Sequence, residues 1–310
     1  MDIWGETNID FMGKRWIFFT LSGIAVLIGI MAVIAIPLGR ANLGTDFAGG
    51  VAVQFKFERP MSIEQVRGLM DKGGFGDASL QQFAEPNRFL IRLKRSTGDL
   101  RALAKSLGDV FTAGVPDNHF VVESTTEIGP AVGKKLQKDA LWAIAISMLG
   151  ILVYVAWRFE FRFGVAAVAA TLHDVFAVMG FLYIINKEMT LLIVTALLTL
   201  AGYSLTDTVV VFDRIRENMH KRTKEGLIPL INRSVNEVLH RTIVTSFTVV
   251  LTLASLLIFG GEVIHDFALT LFAGVIVGTY SSIFIASPIL LFWGDGKKAA
   301  KSKPQPGRPS

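Results

Sequence analysis

Residues 202–218 read GYSLTDTVVVFDRIREN, and this stretch decides how the rest of the chain is interpreted. It continues a run of Leu, Ile, Val and Ala suited to lipid, yet it contains Asp207 six residues before Asp213. A charged residue at the centre of a membrane helix costs about 2.5–3.5 kcal/mol on insertion scales, so it needs a partner, water or neutralisation. Asp207 therefore marks a candidate functional site.

The composition of the whole chain is that of a membrane protein. Of its 310 residues, 51% are hydrophobic and 18% are charged, and the mean hydropathy is +0.49, which is too apolar for an ordinary soluble domain. The first apolar stretch is longer than a signal-peptide core and no clear cleavage site follows it, so we expect a retained anchor. Stretches long enough to cross the roughly 30 Å hydrocarbon core are 16–36, 140–157, 163–185, 189–212, 242–259 and 267–293.

The positions of the basic residues favour a membrane topology signal over a nucleic-acid surface, although the formal net charge is +5. Six spans place both termini on the same side, and most Lys and Arg residues outside the 39–136 region lie in segments on that side. The excess of positive charge on cytoplasmic loops then predicts that both termini are cytoplasmic. We expect a cytoplasmic N-terminus at 1–15, a first membrane helix at 16–38, a five-helix membrane region at 137–293 and a disordered basic cytoplasmic tail at 294–310.

Residues 39–136 are predicted to form an external domain. The segment 39–133 contains eleven basic and eleven acidic residues, so it is electrically neutral. Alternation and helical periodicity predict strands and helices in the order β-α-β-β-α-β, which is typical of an α+β ferredoxin-like domain. The predicted elements are strand 51–58, helix 62–72 with a Ser cap, strands 78–84 and 88–94, helix 98–111 and strand 119–127.

The fourth span is followed by a cytoplasmic amphipathic segment, 214–240. Its apolar residues recur at helical spacing from Leu227 to Leu239 among Asn, Arg and Glu. This pattern predicts a helix that lies in the membrane interface and leads into the fifth span.

Asp207 and Arg241 lie near the cytoplasmic ends of consecutive antiparallel spans, so they share a depth. We predict an ion pair or a water-bridged contact between them. Desolvation disfavours the charged form of a carboxyl group, whereas a nearby guanidinium favours it, so Asp207 is suited to gaining and losing a proton. The alternative is a static pair that holds two helices together.

His173 and Asp174 form a second candidate site in the third span. Because adjacent residues project about 100° apart on a helix, we do not expect them to face each other as a pair. A second proton-relay site and a packing contact remain open as interpretations. The chain contains no Cys, no P-loop and no His spacing typical of a metal site, so we expect no cofactor and no metal.

Several blocks of the sequence resemble one family. GYSLTDTVVVFDRIREN, together with GTDFAGG at 44–50, EIGPAVGKKL at 127–136, LHDVF at 172–176 and RTIVTS at 241–246, is similar to the motifs of the SecF family. Its members are the smaller subunits of the bacterial SecDF protein-export complexes, within the RND-type transporter superfamily. The resemblance covers residues 10 to 293 and follows the family's order of blocks.

The resemblance implies a transport role and no enzymatic one: assistance to preprotein translocation across the bacterial inner membrane, driven by the proton-motive force. It implies SecD, the SecYEG channel and an unfolded preprotein as partners. Asp207 and Arg241 correspond to the family's proton-relay residues, paired with an aspartate on SecD, and the external motif maps to Asp46, Phe47, Gly49 and Gly50. Coupling to Na⁺ stays open.

Two other functions are alternatives to proton coupling. In a scaffold, the charges only lock the subunits together and no proton moves. In an intramembrane aspartyl protease, Asp174 and Asp207 would be the catalytic pair, but the GxGD-type motif of that class is missing.

Overall fold

The computed structural model describes residues 7–83, 85–94, 100–221 and 226–293. Six of its helices are long and apolar enough to cross a membrane, in agreement with the six predicted spans. The predicted tail at 294–310 lies outside the described residues, as do residue 84 and residues 95–99, on which the ends of a predicted strand and a predicted helix fall. In chain order the elements are α1 (Arg15–Ala35), α2 (Thr45–Ala48), β1 (Gly50–Phe57), α3 (Ile63–Lys72), β2 (Ser79–Gln82), β3 (Arg88–Leu93), α4 (Leu100–Gly114), β4 (Phe120–Ile128), α5 (Pro130–Arg158), α6 (Phe161–Ile184), α7 (Leu191–His220), α8 (Leu227–Phe259) and α9 (Gly261–Ser281).

The external domain has the predicted ferredoxin-like order. Its antiparallel sheet runs β2-β3-β1-β4, with Val53 of β1 opposite Ile91 of β3 on one side and Thr125 of β4 on the other. Ser62 and Gln65 form a capping box that begins α3, as the sequence predicted from the Ser cap. Alternation along the strands therefore identified this domain correctly.

The core of this domain lies between the sheet and the helices α3 and α4. Alternate residues of β1 point to it, and Phe55 and Phe57 each pack edge-on against Phe111 of α4, with ring centroids 5.1 and 5.4 Å apart. Phe57 also packs against Phe89 of β3. These buried aromatic contacts close the domain on itself, so it carries its own hydrophobic core.

The membrane region is a bundle in which α6, α7 and α9 are the most buried helices. Glycines allow close approach where these helices meet their neighbours. A Cβ on Gly29 of α1 would lie 2.0 Å from the carbonyl oxygen of Phe176 on α6. On α9, a Cβ on Gly278 would lie 3.2 Å from Ser204 of α7, so the small-residue face of α9 packs on α7.

The segment 214–240 differs from its prediction. It contains the end of α7, which continues to His220, and the beginning of α8, which is a single helix from Leu227 to Phe259. Pro229 lies in the first turn of α8, where a missing N–H costs little, and no later proline interrupts it. The apolar residues Leu230, Ile231, Val235 and Leu239 are buried against the bundle, so the predicted amphipathic face is present but belongs to the fifth span itself.

Beyond α9 the chain continues first in the wider π-helical form and ends in the tighter 3₁₀ form. Residues Ser282–Ala286 form a π-helical turn, followed by a short α-helical turn and a 3₁₀ turn that ends at Trp293. The hydroxyl of Ser287 donates to the carbonyl of Ser282 at 2.8 Å. Pro288 has no N–H to donate in this region, and single π-helical turns of this kind often occur at functional sites.

Candidate functional site

Asp207 lies on the face of α7 that packs into the bundle, and its side chain is 8% exposed. From the described part of the chain its carboxyl group accepts one hydrogen bond, from the Ser282 hydroxyl to Oδ2 at 3.2 Å. Ser282 begins the π-helical turn after α9. A buried carboxylate needs several donors or a cation to offset its desolvation, so the charged form of Asp207 is weakly supported here.

Arg241 does not form the predicted salt bridge with Asp207. Its side chain is exposed, and no ion pair within 4.0 Å joins the two residues, both of which the structure describes. The next residue, Thr242, instead brings a buried hydroxyl next to Asp207 without reaching hydrogen-bond geometry. Because consecutive helical residues lie about 100° apart, only one of the two can face α7. The charge of Arg241 still acts on Asp207 from a longer distance, and a water bridge stays a prediction.

Asp174 is completely buried in α6 and connects three helices. Its Oδ2 accepts hydrogen bonds from Ser204 of α7 and from Ser281 of α9, the second at 2.9 Å. Its Oδ1 lies 2.9 Å from Nδ1 of His173. Asp174 therefore has three hydrogen-bond partners where Asp207 has one.

His173 is also buried, with 7% of its side chain exposed. The expectation that it does not face Asp174 was wrong, because the two side chains bend toward each other enough to form the 2.9 Å contact. Its other ring nitrogen, Nε2, is buried without a hydrogen-bond partner. The imidazole ring lies 6.2 Å from the ring of Tyr280 on α9, measured between centroids.

The two carboxyl groups belong to one polar cluster, which we define as Asp174, Asp207, Ser204, Ser281 and Ser282. Ser204 and Asp207 are three residues apart on α7, so they lie on the same face. Ser281 and Ser282 are consecutive and reach the two different carboxyl groups. The cluster thus connects α6, α7 and α9 at the centre of the bundle.

Sequence reasoning missed the three serines of this cluster. Ser282 continues the four-residue step of Gly274 and Gly278, a spacing that is typical of a packing face in a membrane helix. A signal was available, because Ser204 precedes Asp207 by one helical turn inside an apolar run. Hydroxyl groups in a membrane helix commonly bond to their own backbone, so the sequence alone does not tell which of them bond to a carboxyl group.

The external motif forms a junction between the domain and the bundle. Residues 45–48 form the short helix α2, and Asp46 Oδ2 accepts a hydrogen bond from the backbone N–H of Leu191 at 2.9 Å. Leu191 is the first residue of α7, whose unpaired N–H groups favour a negative partner. The carbonyl of Phe47 accepts a hydrogen bond from Gln137 of α5 at 2.9 Å.

Gly49 and Gly50 complete this junction at the start of β1. Gly49 has φ +80° and Gly50 has φ +146°, values that favour glycine. A Cβ on Gly50 would lie 2.1 Å from the carbonyl oxygen of Leu93 on β3. Both glycines of the external motif therefore adopt backbone angles that other residues rarely take.

The loop between α6 and α7 strengthens the same junction. Gly44 N donates to the carbonyl of Met189 at 2.8 Å, and Met189 N donates to the carbonyl of Asn42 at 2.7 Å. Lys94, at the end of β3, forms a salt bridge with Glu188 at 2.5 Å. The beginning of α7 is therefore attached to the external domain through backbone and side-chain contacts.

Among the described residues, no group of three or more His, Asp and Glu side chains could hold a metal ion. The polar cluster offers two carboxyl groups and three hydroxyl groups, and the adjacent His173 adds one imidazole. Such a set can hold protons and exchange hydrogen bonds.

Comparisons with known proteins identify the relatives of the chain. The family model described as protein export membrane protein SecD/SecF, C-terminal, matches residues 111–296. The protein translocase subunit SecF of Thermodesulfovibrio yellowstonii is 49% identical over 297 residues, which cover 95% of this chain and 97% of that protein. The SecF subunit of Calditerrivibrio nitroreducens is 44% identical over 288 residues, covering 92% of this chain and 94% of that protein.

A solved structure has the same architecture. The crystal structure of SecDF, a translocon-associated membrane protein from Thermus thermophilus, matches with a TM-score of 0.77 and 33% sequence identity. The match covers 94% of this chain and 39% of the SecDF chain. This chain thus spans about two-fifths of the length of that protein.

Proposed function

The chain belongs to the SecF family of protein translocase subunits, and from this membership we propose that it couples the proton-motive force to protein export. It works with SecD and the SecYEG channel on an unfolded preprotein in the bacterial inner membrane, with both termini in the cytoplasm. Asp207 is the group that changes its protonation state. H⁺ is the proposed coupling ion, and Na⁺ is the alternative.

The single observation that carries this proposal is that the buried carboxyl group of Asp207 has few hydrogen-bond donors around it. Asp207 is 8% exposed and accepts one hydrogen bond of 3.2 Å from the described residues. When a carboxyl group in this position becomes charged, it favours a helix arrangement in which water or a cation reaches it, because a buried charge must be hydrated or paired. Protonation can therefore bias a helix bundle between two arrangements.

A physical connection from Asp207 to the external domain supports the same proposal. Asp207 lies sixteen residues after Leu191, which is about 24 Å along α7 at 1.5 Å per residue. Leu191 is bound by Asp46, immediately before the first strand of the domain. A displacement of α7 is in this way transmitted to the domain that meets the exported chain.

The position of Arg241 supports an additional partner for the site. Its guanidinium is exposed on α8 and is not paired with Asp207. A charged group facing lipid alone is unfavourable. We propose that SecD covers this side of α8 and supplies an aspartate, so that the relay of Asp207 and Arg241 is completed between two subunits.

The functional test compares Asp207→Asn with Asp207→Glu in vesicles that contain this chain, SecD and SecYEG. An imposed pH gradient should stimulate export in the wild type and in Asp207→Glu, and should have no effect in Asp207→Asn. Replacing the pH gradient by a Na⁺ gradient should give no stimulation if H⁺ is the coupling ion. Full stimulation of Asp207→Asn by the pH gradient would contradict the proposal.

A scaffold is the second candidate function, and the network around Asp174 is the observation that favours it. Three hydrogen-bond partners fix this carboxyl group between α6, α7 and α9, as a static brace would require. In a scaffold, Asp207→Asn would reduce the amount of SecD that copurifies with this chain. In a coupled subunit, assembly stays at the wild-type level and only the response to the gradient is lost.

A further inference from the structure

We propose that Asp174 and Asp207 form one coupled pair of proton-binding carboxyl groups, and that Ser281 and Ser282 are the residues that position the pair. The inference rests on the proposed function, because it takes Asp207 as a proton site. It extends that site to a second carboxyl group on another helix. The two serines are consecutive, and each binds a different carboxyl group.

Each of these serines has two acceptors for its single hydroxyl hydrogen. Ser281 Oγ lies 2.9 Å from Asp174 Oδ2 and 3.1 Å from the carbonyl oxygen of Gly278. Ser282 Oγ lies 3.2 Å from Asp207 Oδ2 and 2.9 Å from the carbonyl oxygen of Thr279. Each hydroxyl can thus choose between a carboxyl group and its own helix backbone.

This choice allows both protonation states to be accommodated. A hydroxyl group donates one hydrogen and also accepts. It donates to a charged carboxylate, and it turns its hydrogen to the backbone carbonyl and accepts from the carboxyl O–H when the group is protonated. Neither state leaves a buried polar atom without a partner at that position, which would cost about 1–3 kcal/mol in a protein interior.

The contact between His173 and Asp174 leaves one charge of the pair without compensation. With a hydrogen on Nδ1 donated to Asp174, the imidazole is neutral and the pair carries one negative charge. The other ring nitrogen, Nε2, is more than nine-tenths buried and has no partner. A net charge in this interior is unfavourable, and one proton taken from water by the carboxyl group makes the pair neutral.

The surroundings of the cluster allow the two sites to influence each other. The ionisable groups beside Asp174 in the described residues are His173 of α6 and Tyr280 of α9, and the charge of Arg241 of α8 acts on Asp207. Asp174 and Asp207 are connected through the consecutive Ser281 and Ser282. α1 contributes the hydroxyl of Ser22, which bonds to Tyr280 at 2.9 Å. No cation is paired directly with either carboxyl group among them, apart from the imidazole when it is protonated. Two like charges that share a poorly solvated site repel, so the first proton eases the burial of the second carboxylate.

The test is an infrared titration of the full chain in lipid nanodiscs, which follows the carbonyl stretch of protonated carboxyl groups. The wild type should take up two protons at the cluster in two separate steps. In the variant that lacks the carboxyl group with the lower wild-type step, the remaining step should move down from its wild-type position, because the repulsion is gone. In the other variant the lower step should stay in place, since that group already ionises beside a neutral partner. If the remaining step keeps its wild-type position in both variants, the sites are independent and the coupling is refuted.

The serine variants test the positioning role. Ser281→Ala and Ser282→Ala should each move a step by about one pH unit, as expected for one hydrogen bond to a charged group, and Ser282→Thr should restore the wild-type position. Thr171→Val is the matched control, because the buried Thr171 hydroxyl bonds only to the backbone carbonyl of Ala167 in the described network. Unchanged steps in both alanine variants would overturn the role of the serines.

The same titration separates this inference from the function on which it rests. If Asp207 titrates and Asp174 shows no step at any pH, the pair is refuted and the proposed function stands. If neither residue titrates, both fail.

Discussion

The six membrane helices fall into two groups of three. In the inner helices α6, α7 and α9, 61%, 50% and 56% of the most apolar stretch is buried inside the protein, whereas the share is 17% in each of α1, α5 and α8. Both carboxyl groups and all three serines of the polar cluster lie on the inner helices or on the π-helical turn that extends α9. The inner helices therefore contain the polar cluster, and the outer helices face lipid or a partner.

The difference follows from what surrounds each helix. An apolar side chain is about as stable against lipid tails as against a neighbouring helix, because lipid tails are as apolar as leucine. The apolar helices can therefore lie on the outside of the bundle. A polar side chain needs a partner inside the bundle. Mean hydropathy separates the same two groups, because it is 2.6, 2.1 and 2.2 over the most apolar stretches of α1, α5 and α8 and only 1.8, 1.5 and 1.9 over those of α6, α7 and α9.

The largest effect that tests the comparison comes from matched phenylalanines. Phe212 of α7 is fully buried, whereas Phe247 of α8 is 58% exposed. Phe212→Ala should lower the free energy of unfolding by about 3–5 kcal/mol through the cavity it leaves, and Phe247→Ala should change it by less than about 0.5 kcal/mol. Reversible unfolding in bicelles measures both, and equal losses would break the division into inner and outer helices.

The two glycines of α1 sharpen the comparison, because one position on this outer helix behaves as an inner one. Gly29 packs against α6, and its Cβ would collide with the Phe176 carbonyl oxygen, whereas Gly23 has nothing within 4 Å. Gly29→Ala should cost about 1–3 kcal/mol by overpacking. Gly23→Ala, the control on the same helix, should stabilise the helix by up to about 1 kcal/mol. A neutral Gly29→Ala would mean that α1 does not approach α6 so closely.

The smallest effect concerns the attachment of the N-terminal segment to the outer helix α8. Hydrogen bonds from the Gly13 N–H and then from the Asn232 side chain lower the pKa of Asp10 below its ordinary value. The ionised form of Asp10 stabilises this attachment, so the attachment should be complete at neutral pH and should be lost as the pH falls below about 4. Hydrogen exchange at the N–H groups of Phe11 and Met12, which donate to Asn232 Oδ1 at 3.0 and 2.9 Å, measures this loss. In Asp10→Asn the exchange of these groups should no longer depend on acid, and an unchanged acid dependence would show that another group is responsible.

Much of the fold could be predicted from the sequence, because its apolar residues recur with the periods of helices and strands. Six apolar runs and the β-α-β-β-α-β order follow from repeats of 3.6 and 2 residues. The boundaries of α7 and α8 could not be predicted in the same way, because both helices continue past their apolar runs into polar residues with the same helical backbone. Hydropathy marks the end of the apolar run and not the end of the helix.

The candidate site was predicted less well than the fold. Depth along the helices brought Asp207 and Arg241 to the same level, but the rotation of α8 about its axis decides whether Arg241 or Thr242 faces Asp207, and hydropathy does not specify that rotation. The hydrogen bond between His173 and Asp174 was missed because side-chain torsions bring adjacent residues closer than their Cβ directions suggest. The serines were missed because a hydroxyl in an apolar run has the same size and spacing as a packing residue.

The central claim is that the proton on Asp207 comes and goes within the pH range of the cell, and carbodiimide labelling tests it most directly. Carbodiimides react with protonated carboxyl groups in apolar surroundings, and mass spectrometry of the peptide that contains Asp207 reports the labelled fraction in intact membranes. The account predicts a labelled fraction that falls as the pH rises across the physiological range and that is absent in Asp207→Asn. A labelled fraction that stays constant over the whole range would contradict it.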